Sequence, residues 1–184
     1  MIADPLRLFD CSLESDGAAA IVVSAAERAR DLARRPVYVM GVAEGHPDSP
    51  SVISQRPDLT TLGLAKAAPR AFAMAGVGPA DIDIAEIYDC FTFTVLCEIE
   101  DLGFCPKGEG GPFVASGEID LGGRIPINTG GGHLSEGYIH GMNHIVEGVR
   151  QIRGESTSQV PGAEVCLVTS TPLPPGSGLV LTAA

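Results

Sequence analysis

Between residues 91 and 102 the apolar positions recur at helical spacing: Phe91, Val95, Ile99 and Leu102 stand at i, i+4, i+8 and i+11, the stripe of an amphipathic helix that Gly103 ends. Just ahead, Asp81-Ile-Asp-Ile-Ala-Glu-Ile87 alternates polar and apolar, which predicts a strand with one buried face. Tyr88, Asp89 and Cys90 therefore fall on a strand-to-helix corner. Similar changes of period organise the rest of the chain. Residues 18–23 form a small-apolar and β-branched run that predicts a strand, and Ser24 with Glu27 three positions on opens a short helix from residue 25 to about residue 33. Pro36 resets the backbone before a second strand over residues 37–42. Residues 45–57 are polar and proline-rich and read as a surface loop. Residues 61–77 are helical in composition, with Pro69 predicted to break the helix or to start a second segment.

Residues 105–123, rich in glycine, read as an irregular excursion. After Ile125-Pro-Ile-Asn128 comes Thr129-Gly-Gly-Gly-His133-Leu-Ser-Glu-Gly-Tyr138, a glycine loop feeding a helix whose apolar face is Met142, Ile145, Val146, Val149 and Ile152. Two strands, residues 164–168 and 178–182, flank a proline-rich turn and suit an antiparallel pair. Such alternation predicts one α/β unit, a mixed β-sheet with helices on both faces and no internal linker.

Composition narrows the function classes. The 184 residues are 45% hydrophobic, enough for a substantial core. Acidic residues outnumber basic ones 23 to 12, for a net charge of −11, which argues against a nucleic-acid or anionic-membrane surface. No apolar run approaches the roughly 20 residues of a membrane helix, and the N-terminus lacks a signal pattern, so a cytoplasmic protein is expected. The five cysteines are odd in number and lack a Cys-x-x-Cys pair, so they read as reduced thiols, mostly buried.

Ligands of open α/β sheets bind beyond the carboxyl ends of strands, where glycine admits close backbone approach. The Tyr88-Asp89-Cys90 corner and the loop from Gly130 to Tyr138 meet that description. The loop matches neither the P-loop nor the Rossmann fingerprint, so a plain turn is the competing reading. Tyr88 is either a buried aromatic with a satisfied hydroxyl or a site residue, and the same holds for Tyr138. Cys90, at the start of a helix, is either a nucleophile or a small buried apolar residue. His140 and His144 stand at i, i+4 with Glu147 one turn further on, so all three are expected on one helix face. Gly141 occupies the position of the zincin glutamate, so no metal is expected, and helix-surface or substrate-channel histidines are preferred.

Taken in order, these pieces resemble the C-terminal half of the thiolase superfamily, in its sterol-carrier or lipid-transfer-protein branch. The resemblance is carried by Pro5-Leu-Arg-Leu-Phe-Asp-Cys11 with Ser15-Asp-Gly-Ala-Ala-Ala20, by Ala75-Gly76 with Pro79-Ala-Asp-Ile-Asp83, by Glu86-Ile-Tyr-Asp-Cys-Phe91, and by Asn128-Thr-Gly-Gly-Gly132 with Gly137-Tyr-Ile-His-Gly141. It spans essentially residues 1–184 and implies a single thiolase-like C-terminal domain whose N-terminal half lies outside this chain. Thiolases carry Asn-Glu-Ala-Phe or His-Asp-Cys-Phe where this chain has Tyr88-Asp-Cys-Phe91, and Gly-His-Pro where it has Gly137-Tyr138-Ile139. Their second cysteine falls within residues 169–171, none of which is cysteine here.

Paired tyrosines at these two positions are similar to the steroid side-chain-cleaving aldolases of the branch. The resemblance implies retro-aldol cleavage of a β-hydroxyacyl-CoA, with Tyr88 and Tyr138 as the catalytic pair in an order left open. It further implies Asp89, Asn128, Gly131, Gly132, His133 and His140 as substrate-binding residues, and no cofactor beyond the CoA of the substrate. A homodimer, a thiolase-type N-terminal half and a small OB-fold subunit are the partners implied. Two other readings remain open at this stage: an acetyl-CoA acetyltransferase of thiolase type, and a non-catalytic lipid-transfer or assembly subunit.

Overall fold

The computed structural model describes residues 1–29, 31–48, 55–171 and 175–183. Its centre is a mixed four-stranded sheet of β1 (Val37–Gly45), β2 (Ile84–Glu86), β3 (Val165–Ser170) and β4 (Gly176–Ala183) in the order β1-β4-β3-β2. β4 runs antiparallel to both neighbours, and β2 pairs parallel to β3. The expected hairpin of the last two strands is present, each longer than its apolar run. The middle of its connection lies outside the described residues, as do residues 49–54 of the long polar loop. A parallel bridge from Ala85 to Ile127 lays the segment before the glycine loop beside β2.

Successive side chains of β3 point to opposite faces and so build two cores. Leu167 packs with Ala71 and Phe72 of α2 (Leu64–Ala75) and Val95 and Ile99 of α3 (Thr92–Asp101) on one side. Cys166 and Val168 pack with Ile152 of α6 (Met142–Arg153) on the other. Helices thus cover both faces, as the alternating pattern requires.

Pro69 does not interrupt α2. A mid-helix proline costs about 3 kcal/mol, but Leu64, Ala67, Ala68, Ala71 and Phe72 are all buried against the sheet. Burying one large apolar side chain returns about 1.5–3 kcal/mol. β2 is shorter than its period-two pattern and buried at all three residues, Glu86 included, because a helix covers each face. Within the stretch expected to be irregular, residues 110–115 form α4 (Gly110–Ala115), whose first amide is held by Glu100.

The predicted strand over residues 18–23 forms no ladder. It has no regular structure, with Val22 97% and Val23 77% exposed, and no sheet edge reaches it among the described residues. The helix after it is shorter than expected, α1 (Ala26–Ala29). All five cysteines are free, and all but Cys11 are buried. No helix among the described residues is long and apolar enough to cross a membrane.

The apolar stripe of α6 reads correctly for Ile152 and for Ile145 and Val149, which pack beside it, but misses what the helix buries most deeply: Asn143, His144, Glu147, Gly148 and Gln151. A Cβ at Gly148 would stand 3.0 Å from Cys166 Sγ, so glycine lets α6 lie close on β3. That close approach carries the flanking polar side chains into the interior.

Candidate active site

β2 delivers Tyr88 and Asp89 to the corner before α3, while the turn of residues 128–131 and α5 (Gly132–Ser135) bring the glycine loop over them. The Asp89 carboxylate ties the two together. It accepts the N–H of His133 at 2.8 Å and of Leu134 at 3.3 Å, and meets Nε2 of His144 at 3.1 Å. Gly132, at φ +60°, leaves room for it, since any side chain there would run into the carboxylate. Burial pushes the Asp89 carboxyl up, but the His144 hydrogen bond and the backbone amides outweigh it and hold it below its ordinary value.

Above this anchor the rings pack edge to face. Tyr88 and His133 are 4.5 Å apart, His133 and Tyr138 4.8 Å, and His133 and His144 4.4 Å. The hydroxyls of Tyr88 and Tyr138 meet at 2.8 Å, and Nδ1 of His140 lies 3.4 Å from the Tyr88 oxygen. His133 Nε2 accepts the Gly141 N–H at 2.9 Å, which puts the proton of its neutral ring on Nδ1. Burial, reinforced by His144, lowers its pKa to about 4, so it is uncharged at neutral pH. Burial likewise raises the Tyr88 phenol above its ordinary value, with the Tyr138 hydrogen bond adding to it.

The Tyr88 main chain is fixed from β3. Its N–H donates to Thr169 Oγ1 at 3.0 Å, and the Thr169 hydroxyl is paired with the fully buried Glu98 carboxyl. Burial drives that carboxyl well above its usual range. A second buried pair stands beneath the glycine loop. Thr129 Oγ1 lies 2.9 Å from Glu86 Oε1 and 2.8 Å from Glu147 Oε1, with Gln151 and Ser156 also donating to Glu147. Burial raises Glu86 to about 8 against the Thr129 hydrogen bonds, with the Glu147 charge adding to the rise.

Of the residues singled out in the sequence, Tyr88, Tyr138 and His140 converge at the surface of this cluster, with His133 and Asp89 buried behind them. Asn128 spends its carboxamide oxygen on the Ile87 N–H at 2.7 Å, and Gly131 donates its own N–H back to the Asn128 carbonyl. Asn128, Gly131 and Gly132 thus build the turn. The spacing of His140, His144 and Glu147 does not put them on one face: His140, at φ +50°, precedes α6 and turns toward Tyr88, while His144 is buried on Asp89 rather than exposed. Asp89, His133 and His144 gather three possible ligand atoms; Asp89 pairs with His144 Nε2 and His133 Nε2 with the Gly141 N–H, while Nδ1 of each histidine is buried without a hydrogen-bond partner.

Cys90 is held 3.6 Å from Thr94 with its thiol pushed up by burial, the opposite of nucleophile activation. Thr169, Glu98 and Gln151 were not visible as site residues in the sequence, because nothing local to them signals that they meet.

The C-terminal-domain-like model of the thiolases matches residues 45–175. The chain is 51% identical over 98% of its length to the 17-hydroxy-3-oxo-4-pregnene-20-carboxyl-CoA lyase of Mycobacterium tuberculosis, covering 47% of that protein. It is 44% identical over 99% of its length to the steroid side-chain-cleaving aldolase of Thermomonospora curvata, again covering 47% of it. The solved Ltp2-ChsH2(DUF35) aldolase superposes over the whole chain with a TM-score of 0.91 at 41% identity, the match covering 49% of the solved chain. The chain therefore spans about half the length of the curated relatives it matches.

Proposed function

Because the chain belongs to the thiolase C-terminal domain-like family, we propose that it supplies the tyrosine pair of a composite site for retro-aldol cleavage of a β-hydroxyacyl-CoA bearing a steroid side chain. The observation that carries this reading is the 2.8 Å contact between the Tyr88 and Tyr138 hydroxyls beside the buried Asp89–His133–His144 cluster. The names of the relatives support the same chemistry.

A retro-aldol needs the β-hydroxyl proton removed while electrons of the breaking carbon–carbon bond flow into the thioester enolate. Two hydrogen-bonded phenols can take up and pass on that proton. Acyl transfer through a thiolate draws no support from Cys90, whose buried thiol is held protonated.

The remaining thioester contacts come from a thiolase-type first half, and a small OB-fold subunit joins the assembly. The naming of the matched solved structure as an Ltp2-ChsH2(DUF35) aldolase supports a partner of that kind. A homodimer, a cytoplasmic setting and CoA as part of the substrate complete the proposal. The test is release of the short acyl-CoA and a ketone from a β-hydroxyacyl-CoA steroid by the assembled enzyme, meaning this chain with its first half and partner subunit. Release is expected. Its absence in every combination overturns the assignment.

A further inference from the structure

His133 and His140 pack against the phenols and His144 packs behind His133, and their hydrogen bonds set the three imidazoles apart. His133 has its Nε2 lone pair occupied by the Gly141 N–H, and its Nδ1 lies 3.5 Å from Asp89 Oδ1. His144 turns Nε2 to the same carboxylate. Neither presents a lone pair to a phenol. His140 does: Nδ1 lies 3.4 Å from the Tyr88 hydroxyl, and its ring sits 4.7 Å from that of Tyr138. It is also exposed, whereas Tyr88, His133 and His144 are buried.

The backbone at His140 has φ +50°, a region that residues other than glycine seldom enter. Such strained positions persist where the surroundings over-determine them and cluster at functional sites. Here the strained residue carries its ring off the helix axis and onto the phenols. The titratable groups facing it are Tyr88, Tyr138 and His133. A cavity of about 190 Å³ opens beside it, walled by Thr169 and Ser170 of β3, Ser177 of β4, and Met142 and Ile145 of α6, none of them charged.

Building on the retro-aldol reading above, we propose that His140 is the proton acceptor of the site, receiving through the Tyr88–Tyr138 pair the proton that leaves the substrate β-hydroxyl. The proton passes from the substrate oxygen to Tyr138, as Tyr138 hands its own to Tyr88 and Tyr88 hands its own to His140 Nδ1. The carbon–carbon bond breaks, the β-carbon becomes a ketone, and the bond electrons enter the thioester enolate. The imidazolium then returns its proton by the same path to the enolate α-carbon, closing the cycle with no oxidant, reductant or further reactant. Burial keeps Tyr88 protonated at rest, so the phenols serve as a conduit and not as a standing phenolate. His140 acts through them and is a relay and positioning residue in that sense.

The test uses two variants that suit the left-handed backbone, His140→Gly and His140→Asn, in the assembled enzyme. Both are expected to fold. With the wild type cleaving, the relay predicts a fall in kcat of about 100-fold in either variant with KM changed less than about 3-fold. It also predicts partial recovery of His140→Gly by added imidazole, which fits the space left. The pH profile of kcat should change shape in His140→Asn relative to wild type. Retention of kcat within about 3-fold, or a rise in KM alone, overturns the relay and leaves His140 a substrate contact. A variant that loses activity without imidazole recovery and with its pH profile unchanged overturns it as well. No turnover by the wild type is a different failure, that of the aldolase reading itself.

Discussion

The Tyr88 and Tyr138 hydroxyls are 2.8 Å apart although the residues stand fifty positions apart, one on a strand end and one in a glycine loop. A phenol pair so placed behaves as one unit, because each oxygen is the other's hydrogen-bond partner. Tyr88→Phe and Tyr138→Phe are each expected to lower kcat for carbon–carbon cleavage by about 10²–10⁴-fold. The double variant should be little worse than either single one. Steady-state release of acyl-CoA measures this, and full activity in both single variants would remove the pair from the chemistry.

Asp89 joins the strand corner to the glycine loop by two backbone amides and one imidazole. Asp89→Asn presents a donor where one of those donors now finds an acceptor, and is expected to destabilise the assembled protein by about 2–3 kcal/mol. Urea unfolding at neutral pH reads the change. A variant as stable as the wild type would mean that the loop is held elsewhere.

The raised pKa of Glu86, about 8 against a usual 4.5, gives stability a sign with pH. Between these two values the unfolded chain releases a proton that the folded chain keeps, so this group's contribution falls as pH rises through the window. Glu86→Gln, which has no such proton to lose, is expected to gain in melting temperature relative to wild type from pH 5 to pH 8. Parallel melting curves for the two proteins across that range would contradict the buried, neutral Glu86.

His133 gives the opposite slope. Its pKa of about 4 lies below the usual 6.5, so acidification through that window protonates the unfolded chain first and weakens the fold. His133→Gln is expected to flatten stability between pH 6.5 and pH 4 relative to wild type, by differential scanning calorimetry.

Gly132 faces Asp89 at φ +60°. Gly132→Ala combines backbone strain with a collision and is expected to cost about 2–4 kcal/mol. It should also uncouple the loop, raising amide exchange at His133 and Leu134. Unchanged exchange there would show that the loop tolerates a side chain.

The order of the elements and the corner at Tyr88 were legible in the sequence, because periodicity reports the direction in which each side chain faces within its own element. Period two before Ile87 and the helical stripe after Phe91 place Tyr88 without any knowledge of its neighbours. The same reasoning failed where burial comes from a distant element. Residues 18–23 have the composition of a strand, yet a strand needs a partner edge, and none reaches them among the described residues. Pro69 has the local chemistry of a helix breaker, yet packing of α2 on the sheet outweighs it.

By itself the sequence determined the fold class, the strand corner and the glycine loop, which depend on residue type and local spacing, while the pairing of Tyr88 with Tyr138 was implied only by the family resemblance. Tertiary structure alone decided that His140 and His144, one helical turn apart in number, serve different groups, and that Thr169 and Glu98 sit behind Tyr88. The physical reason is that the positive φ at His140 and the close approach at Gly148 set side-chain directions that local spacing does not report.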